Sequence, residues 1–214
     1  GLLQNSAAVI IGAMLIAPLM TPIVGAGMAL SLGNRPLFQS ALLTVSIGFV
    51  GALTASTLFG LLVRLLHQVL GLDVVPEIGS TPEMWARCRP SPLDFCVGLV
   101  GGIAASYSQT RRHLSSALAG AAIAAALVPP IATAGLQIAF GQWDRQPSGE
   151  MPVIGPLLLV SVNVLTIMVG SSFILWARGI RADRKLAAKA KWAPRMTALL
   201  LLLSLLALVF MALP

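Results

Sequence analysis

The stretch that decides the fold runs from Ser6 to Gly33, SAAVIIGAMLIAPLMTPIVGAGMALSLG. As helix, residues 6–32 reach about 40 Å, more than the roughly 30 Å of a hydrocarbon core. Pro18 and Pro22 fall at its centre. A proline inside a helix removes one backbone hydrogen bond and collides with the carbonyl four residues back. Pro18 thus frees the carbonyl of Met14, and Pro22 that of Pro18. In hydrocarbon an unpaired carbonyl costs several kcal/mol, so it must meet protein, water or an ion.

The pattern returns 108 positions later, where GAMLIAPLMTPIVGAGMALSLG (Gly12 to Gly33) is matched by GAAIAAALVPPIATAGLQIAFG (Gly120 to Gly141). Nine of the twenty-two ungapped pairs are identical, among them Pro22/Pro130, Gly27/Gly135 and Gly33/Gly141. A shared mid-span proline with glycines at matching distances reads as an internal repeat. With a seven-residue insertion, Val45-Ser46-Ile47-Gly48 also pairs with Val160-Ser161-Val162-Asn163, making the repeat three spans long.

Composition places the chain in a membrane. It is 57% hydrophobic and 10% charged, against about 25% charged in a soluble domain. Its mean hydropathy is +0.90, and its 214 residues suffice for six or seven spans. The net charge of +7 is no nucleic-acid signal, because most Lys and Arg lie between spans and in one tail.

The chain divides into a first repeat over 1–66, whose first helix is truncated, and an extracytoplasmic loop over 67–92. A second repeat follows over 93–176, then a basic cytoplasmic linker over 177–195 and a terminal anchor over 196–214. Within these, spans are expected at 6–32, 38–63, 93–109, 114–140, 152–176 and 196–213. The opening GLLQNS reads as the end of a helix that begins upstream, in a longer protein. Gly33-Asn34-Arg35-Pro36 reads as a turn, and the chain from Arg64 to Pro92 as a loop. Cys88 and Cys96 flank a proline-containing turn, as a disulfide or as two free thiols.

If every segment crosses once, ten basic residues lie on the linker's side: Arg35, Arg111, Arg112 and seven in the linker. Only Arg64, Arg87, Arg89 and Arg145 lie opposite, as the positive-inside rule requires with the linker cytoplasmic. Re-entrant broken segments would split those clusters across the membrane. An odd number of crossings per repeat leaves its copy upside down. Inverted repeats meeting at discontinuous helices are the plan of many secondary transporters, with substrate at the midplane. The expected fold is therefore all-α: a polytopic membrane helix bundle of two inverted three-span repeats with proline-broken central helices, plus a C-terminal span.

No Asp, Glu, Lys or Arg lies well inside a span, which counts against a carboxylate-based proton relay. The polar candidates at depth are neutral. Thr21 and Thr133 flank the breaks at Pro18–Pro22 and Pro129–Pro130, where each offers a hydroxyl to an ion or bonds a carbonyl of its own kink. Asn163 must place both halves of its amide, on a solute or on the proline-broken helix. Ser161 and Asn5 complete the set, with no metal ligands among them and no cofactor specified. Gln137 reads as structural. His67 and His113 lie at or outside the interface, which removes the usual base for a Ser or Cys nucleophile, so no enzyme is expected.

The segments NSAAVIIGAMLIAPLMTPI, ALAGAAIAAALVPPIATAGL and SVNVLTIMVG resemble the signature of a bacterial and archaeal membrane family, domain of unknown function 389. The match runs from residue 1 to about 180. The resemblance implies a polytopic prokaryotic inner-membrane protein, often with a hydrophilic domain upstream, and brings no activity, substrate or catalytic residue with it. The function expected from the residues is a secondary transporter or channel, its small solute or ion held between the two breaks. The alternative is a structural or accessory subunit of a membrane complex. Expected partners are the lipid bilayer and a homo-oligomer or larger membrane assembly, without nucleic acid.

Overall fold

A computed structural model describes residues 1–14, 19–70, 81–110, 116–143, 151–181 and 190–212. Among these the chain forms eight helices and no strand: α1 Ala7–Met14, α2 Met20–Leu32, α3 Arg35–Leu70, α4 Pro82–Cys88, α5 Pro92–Gln109, α6 Ser116–Phe140, α7 Ile154–Ala177 and α8 Trp192–Ala212. Three are long and apolar enough to cross a membrane: Arg35–Val69 within α3, α7, and Trp192–Phe210 within α8. Met20–Leu32 and Ala126–Phe140 are shorter apolar segments.

The first proline-rich span is carried by α1 and α2; Pro18 lies outside the described residues. Pro22 takes the third position of α2. The first four N–H groups of a helix have no partner within it, so a proline there sacrifices no bond. Pro22 thus begins a helix rather than breaking one. At the other end Gly33 adopts a left-handed conformation (φ 64°). Its N–H donates to the Leu30 carbonyl and that of Asn34 to the Ala29 carbonyl, a Schellman cap. Asn34 then opens α3 at once, its Oδ1 accepting from the Leu37 N–H at 3.1 Å. The expected four-residue turn shrinks to two residues, because Pro36 is tolerated in the first turn of the next helix.

The two segments 108 residues apart end alike. Gly141 (φ 73°) donates to the Ile138 carbonyl, and Gln142 to that of Gln137. Between its ends, however, α6 departs from expectation. It stays α-helical through Pro129 and Pro130, so the predicted break there is a continuous helix with two prolines inside.

Two further differences concern the loop expected from Arg64 to Pro92. Its first residues continue α3, whose thirty-six residues extend about 54 Å. Falling hydropathy does not end a helix that meets neither Gly nor Pro, and Arg64 Nη1 donates to the Ala139 carbonyl at 3.2 Å. Residues 82–88 form α4, tied by an Arg87–Glu83 pair at 2.9 Å. Cys88 and Cys96 are not joined in a disulfide, and the first is buried and the second exposed.

Helix α7 is the hub, packed by α2, α5, α6, α8 and α4, while α3 lies on α6 and α2. Contacts fix the directions. Gly98 of α5 meets Asn163 and Thr166, and Gly102 meets Ile167, so α5 and α7 run parallel. At one end, Thr81 Oγ1 donates to the Leu2 carbonyl at 2.7 Å and the Glu83 N–H to Asn5 Oδ1 at 3.2 Å. At the other, Ser31 Oγ donates to the Ser172 carbonyl at 2.8 Å and Trp192 Nε1 to the Gly33 carbonyl at 3.2 Å. Residues 2–5, just before α1, and the C-terminal end of α2 therefore lie at opposite ends of the bundle.

Two glycines let backbones close up. A Cβ on Gly27 of α2 would meet Ser171 and, at 3.0 Å, the Met168 carbonyl of α7. A Cβ on Gly135 of α6 would meet Ser56 and, at 2.9 Å, the Leu53 carbonyl of α3.

Candidate functional site

The prolines of α6 determine the chemistry at the centre of the bundle. Pro130 has no N–H, so the Ala126 carbonyl loses the partner that a helix would supply. Asn163 replaces it from α7: its Nδ2 donates to the Ala126 carbonyl at 2.8 Å. The carbonyl freed by Pro130 is thus satisfied by a neighbouring helix.

The other half of the same amide is left over. Asn163 is 3% exposed, and its Oδ1 has no hydrogen-bond partner among the described residues. Gly98 of α5 makes room for it; a Cβ there would stand 3.1 Å from Oδ1. Thr166, on the same face of α7, bonds within its own helix, its Oγ1 donating to the Val162 and Asn163 carbonyls at 2.9 and 3.1 Å. Thr133 of α6 is fully buried with an Oγ1 that has no partner among the described residues, and Ser106 of α5 is in the same condition. Native interiors leave few buried polar atoms unpaired, and each calls for an explanation.

These oxygens are neutral, and they are spread along the bundle: Asn163 lies at Ala126 and Gly98, seven residues from Thr133 on α6 and eight from Ser106 on α5. An amide oxygen accepts hydrogen bonds or coordinates a cation; a hydroxyl does either and also donates.

The remaining predicted residues lie apart from this core. Thr21 is exposed in the first turn of α2, beside a half-buried Pro22. Ser161 is exposed and donates to the Leu157 carbonyl at 2.8 Å. Asn5, also exposed and in a left-handed conformation (φ 50°), accepts from an N–H in the first turn of α4. Pro129 and Pro130 are buried in α6. Thus the structure brings Asn163 to the proline pair and buries Thr133 on the same helix, while Thr21, Ser161 and Asn5 face outward.

Sequence reasoning missed Ser106 and Gly98, both of which read as helix-packing residues in a small-residue segment. Gln137, read as structural, is fully buried, and its Nε2 donates to Cys88 Sγ at 3.8 Å. Two grooves open on the bundle. One, of about 400 Å³, runs past Pro129, Ser56 and Phe59; the other, of about 940 Å³, lies between α7 and α8. Thr21, Thr133 and Asn163 line neither.

Residues 14–169 match the model of a family described as Domain of unknown function (DUF389). The chain is similar to an uncharacterized protein of Methanocaldococcus jannaschii, MJ0678, at 28% identity over 184 residues. That alignment covers 86% of this chain and 51% of the relative, so the chain spans about half the length of the curated protein it matches. No solved structure matches it. The chain belongs to the DUF389 family.

Proposed function

We propose that this DUF389 protein is a multi-pass protein of the prokaryotic inner membrane that moves a small solute or ion through its centre, without enzymatic activity. The observation that carries the reading is Asn163, whose Oδ1, buried in the middle of an apolar helix bundle, has no partner among the described residues. An orphan acceptor at that depth is expensive. A permeant that hydrogen-bonds or coordinates with it gives the fold a reason to keep it.

The architecture behind this reading is a pair of inverted repeats, with the breaks reduced to a helix start at Pro22 and a side-chain-patched helix at Pro129–Pro130. Its support is the exchange of contacts. The spacing of 108 relates Gly27 to Gly135, and the spacing of 115 relates Leu53 and Ser56 to Met168 and Ser171. Gly27 meets the second member of each pair, and Gly135 the first. Contacts swapped in this way are what a two-fold axis generates, and the opposite directions of α2 and α6 would lay that axis in the membrane plane. In this reading the linker 177–195 faces the cytoplasm, and the outer faces of α3 and α8 meet lipid or a second subunit.

The test is flux. Purified protein in proteoliposomes would be assayed with potassium, sodium, chloride and glycerol as probes. Flux of one above protein-free vesicles, reduced at least tenfold in Asn163→Leu while the variant stays monodisperse, is the expected result. Equal flux in wild type and variant would overturn the assignment of Asn163.

A second reading, an accessory subunit of a membrane complex, has its own observation. The Asn163 amide is already engaged at Ala126, and neither groove reaches it. Absence of flux for every probe, from vesicles holding folded protein, would favour this reading.

A further inference from the structure

The larger groove has features that the transport reading does not use. It lies between α2, α5, α7 and α8, at the end where α7 stops and α8 starts, and encloses about 940 Å³. Its apolar walls are Leu99, Ile103, Phe173 and Leu201, the last two exposed along its open side; one end carries Arg181 and Lys191. From Lys191 to Leu201 the chain advances roughly 15 Å along α8. That is half of a hydrocarbon core of about 30 Å, the depth of one leaflet.

The charge at the mouth is held in place. The Arg181 guanidinium stacks over the Trp176 ring at 4.2 Å, and its Nε donates to the Trp176 carbonyl at 3.0 Å. Its remaining donors, and the exposed ammonium of Lys191, have no partner among the described residues. Glu83 and Asp94, the acids among the described residues, lie at the far end of the bundle on α4 and α5. A leaflet-deep apolar slot with positive charge at its mouth matches one amphiphile: a hydrocarbon chain with an anionic head. Basic pockets between membrane helices bind anionic head groups in this way.

We propose that this groove holds one anionic phospholipid, its acyl chain along Ile103, Phe173 and Leu201 and its phosphate at Arg181 and Lys191. The proposal rests on the membrane placement argued above but not on transport; a protein that moves no solute would still bind the lipid.

The experiment is native mass spectrometry of the full chain in detergent, offered equimolar palmitoyl-oleoyl phosphatidylglycerol and phosphatidylcholine. Two basic residues near a phosphate correspond to roughly a 25-fold preference. Wild type should retain phosphatidylglycerol over phosphatidylcholine by at least tenfold. The double substitution Arg181→Gln with Lys191→Gln should bring the ratio to near one. Ala198→Phe, which fills the groove from an exposed position on α8, should reduce total retained lipid severalfold with the charges intact. Circular dichroism in the same detergent checks folding of each variant. Equal retention of the two lipids by wild type, or a preference that survives loss of both charges, would overturn the proposal.

Discussion

Replacing Asn163 with alanine removes the 2.8 Å bond to the Ala126 carbonyl and leaves that carbonyl, already deprived by Pro130, without a donor. A buried acceptor so abandoned costs about 1–3 kcal/mol. Hydrogen bonds between membrane helices average nearer 0.6 kcal/mol, with a maximum of about 1.7. The same substitution also deletes the orphan Oδ1, which offsets part of the loss. The net expectation is a destabilisation of about 1 kcal/mol. The discriminating step is to repeat it in a Pro130→Ala background. There residue 130 regains its N–H, which donates to Ala126 within the helix, and Asn163→Ala should cost roughly 0.3 kcal/mol or less. Unfolding of the four proteins by sodium dodecyl sulfate in mixed micelles, followed by circular dichroism, gives the coupling energy directly. Independent sites add within about 0.3–0.5 kcal/mol. If Asn163→Ala costs the same in both backgrounds within that margin, the side chain is not what satisfies the carbonyl freed by Pro130.

Other outcomes follow from the same geometry. Gly27→Ala and Gly135→Ala each force a Cβ onto a carbonyl and a serine of a facing helix, and each should cost about 1–3 kcal/mol in that unfolding assay. Gly25→Ala and Gly51→Ala meet nothing within 4 Å and should be neutral or stabilising by up to about 1 kcal/mol, so equal effects at all four would refute the close-approach argument. Native protein treated with N-ethylmaleimide should take up one equivalent, at exposed Cys96, and a second, at buried Cys88, only after denaturation; intact-mass measurement decides. Asn5→Ala removes an acceptor from the first turn of α4 and should cost about 1 kcal/mol while leaving any solute flux unchanged; a flux defect without destabilisation would return Asn5 to the transport site.

Much of this was legible in the sequence, and the places where it was not have physical causes. The repeat spacing located two helix ends correctly, because a glycine in a left-handed cap is a local requirement that Gly33 and Gly141 meet independently of the rest of the fold. The helical character and the bounds of α5 and α7 followed from hydropathy alone. What could not be read was compensation across space. Pro130 announces a missing hydrogen bond, but nothing in its neighbourhood says that Asn163, on another helix, supplies the replacement. The same holds at Asn5, a candidate in the sequence, which accepts from the backbone of α4. The over-long α3 was missed because polarity marks where a membrane ends, and a helix has no obligation to end there.

The packing of α2 on α7 sets a schedule for synthesis. Ser31 and Ser172, which bond at the foot of that contact, are 141 residues apart. At about 5–20 residues per second, α2 is made roughly 7–28 s before the surface it closes against. For that interval the flat face around Gly27 has only lipid, a chaperone or its own α3 to rest on. A glycine chosen to admit a backbone is then a site of early vulnerability, and misassembly of this protein should begin with α2 finding the wrong neighbour while α7 is still in the ribosome.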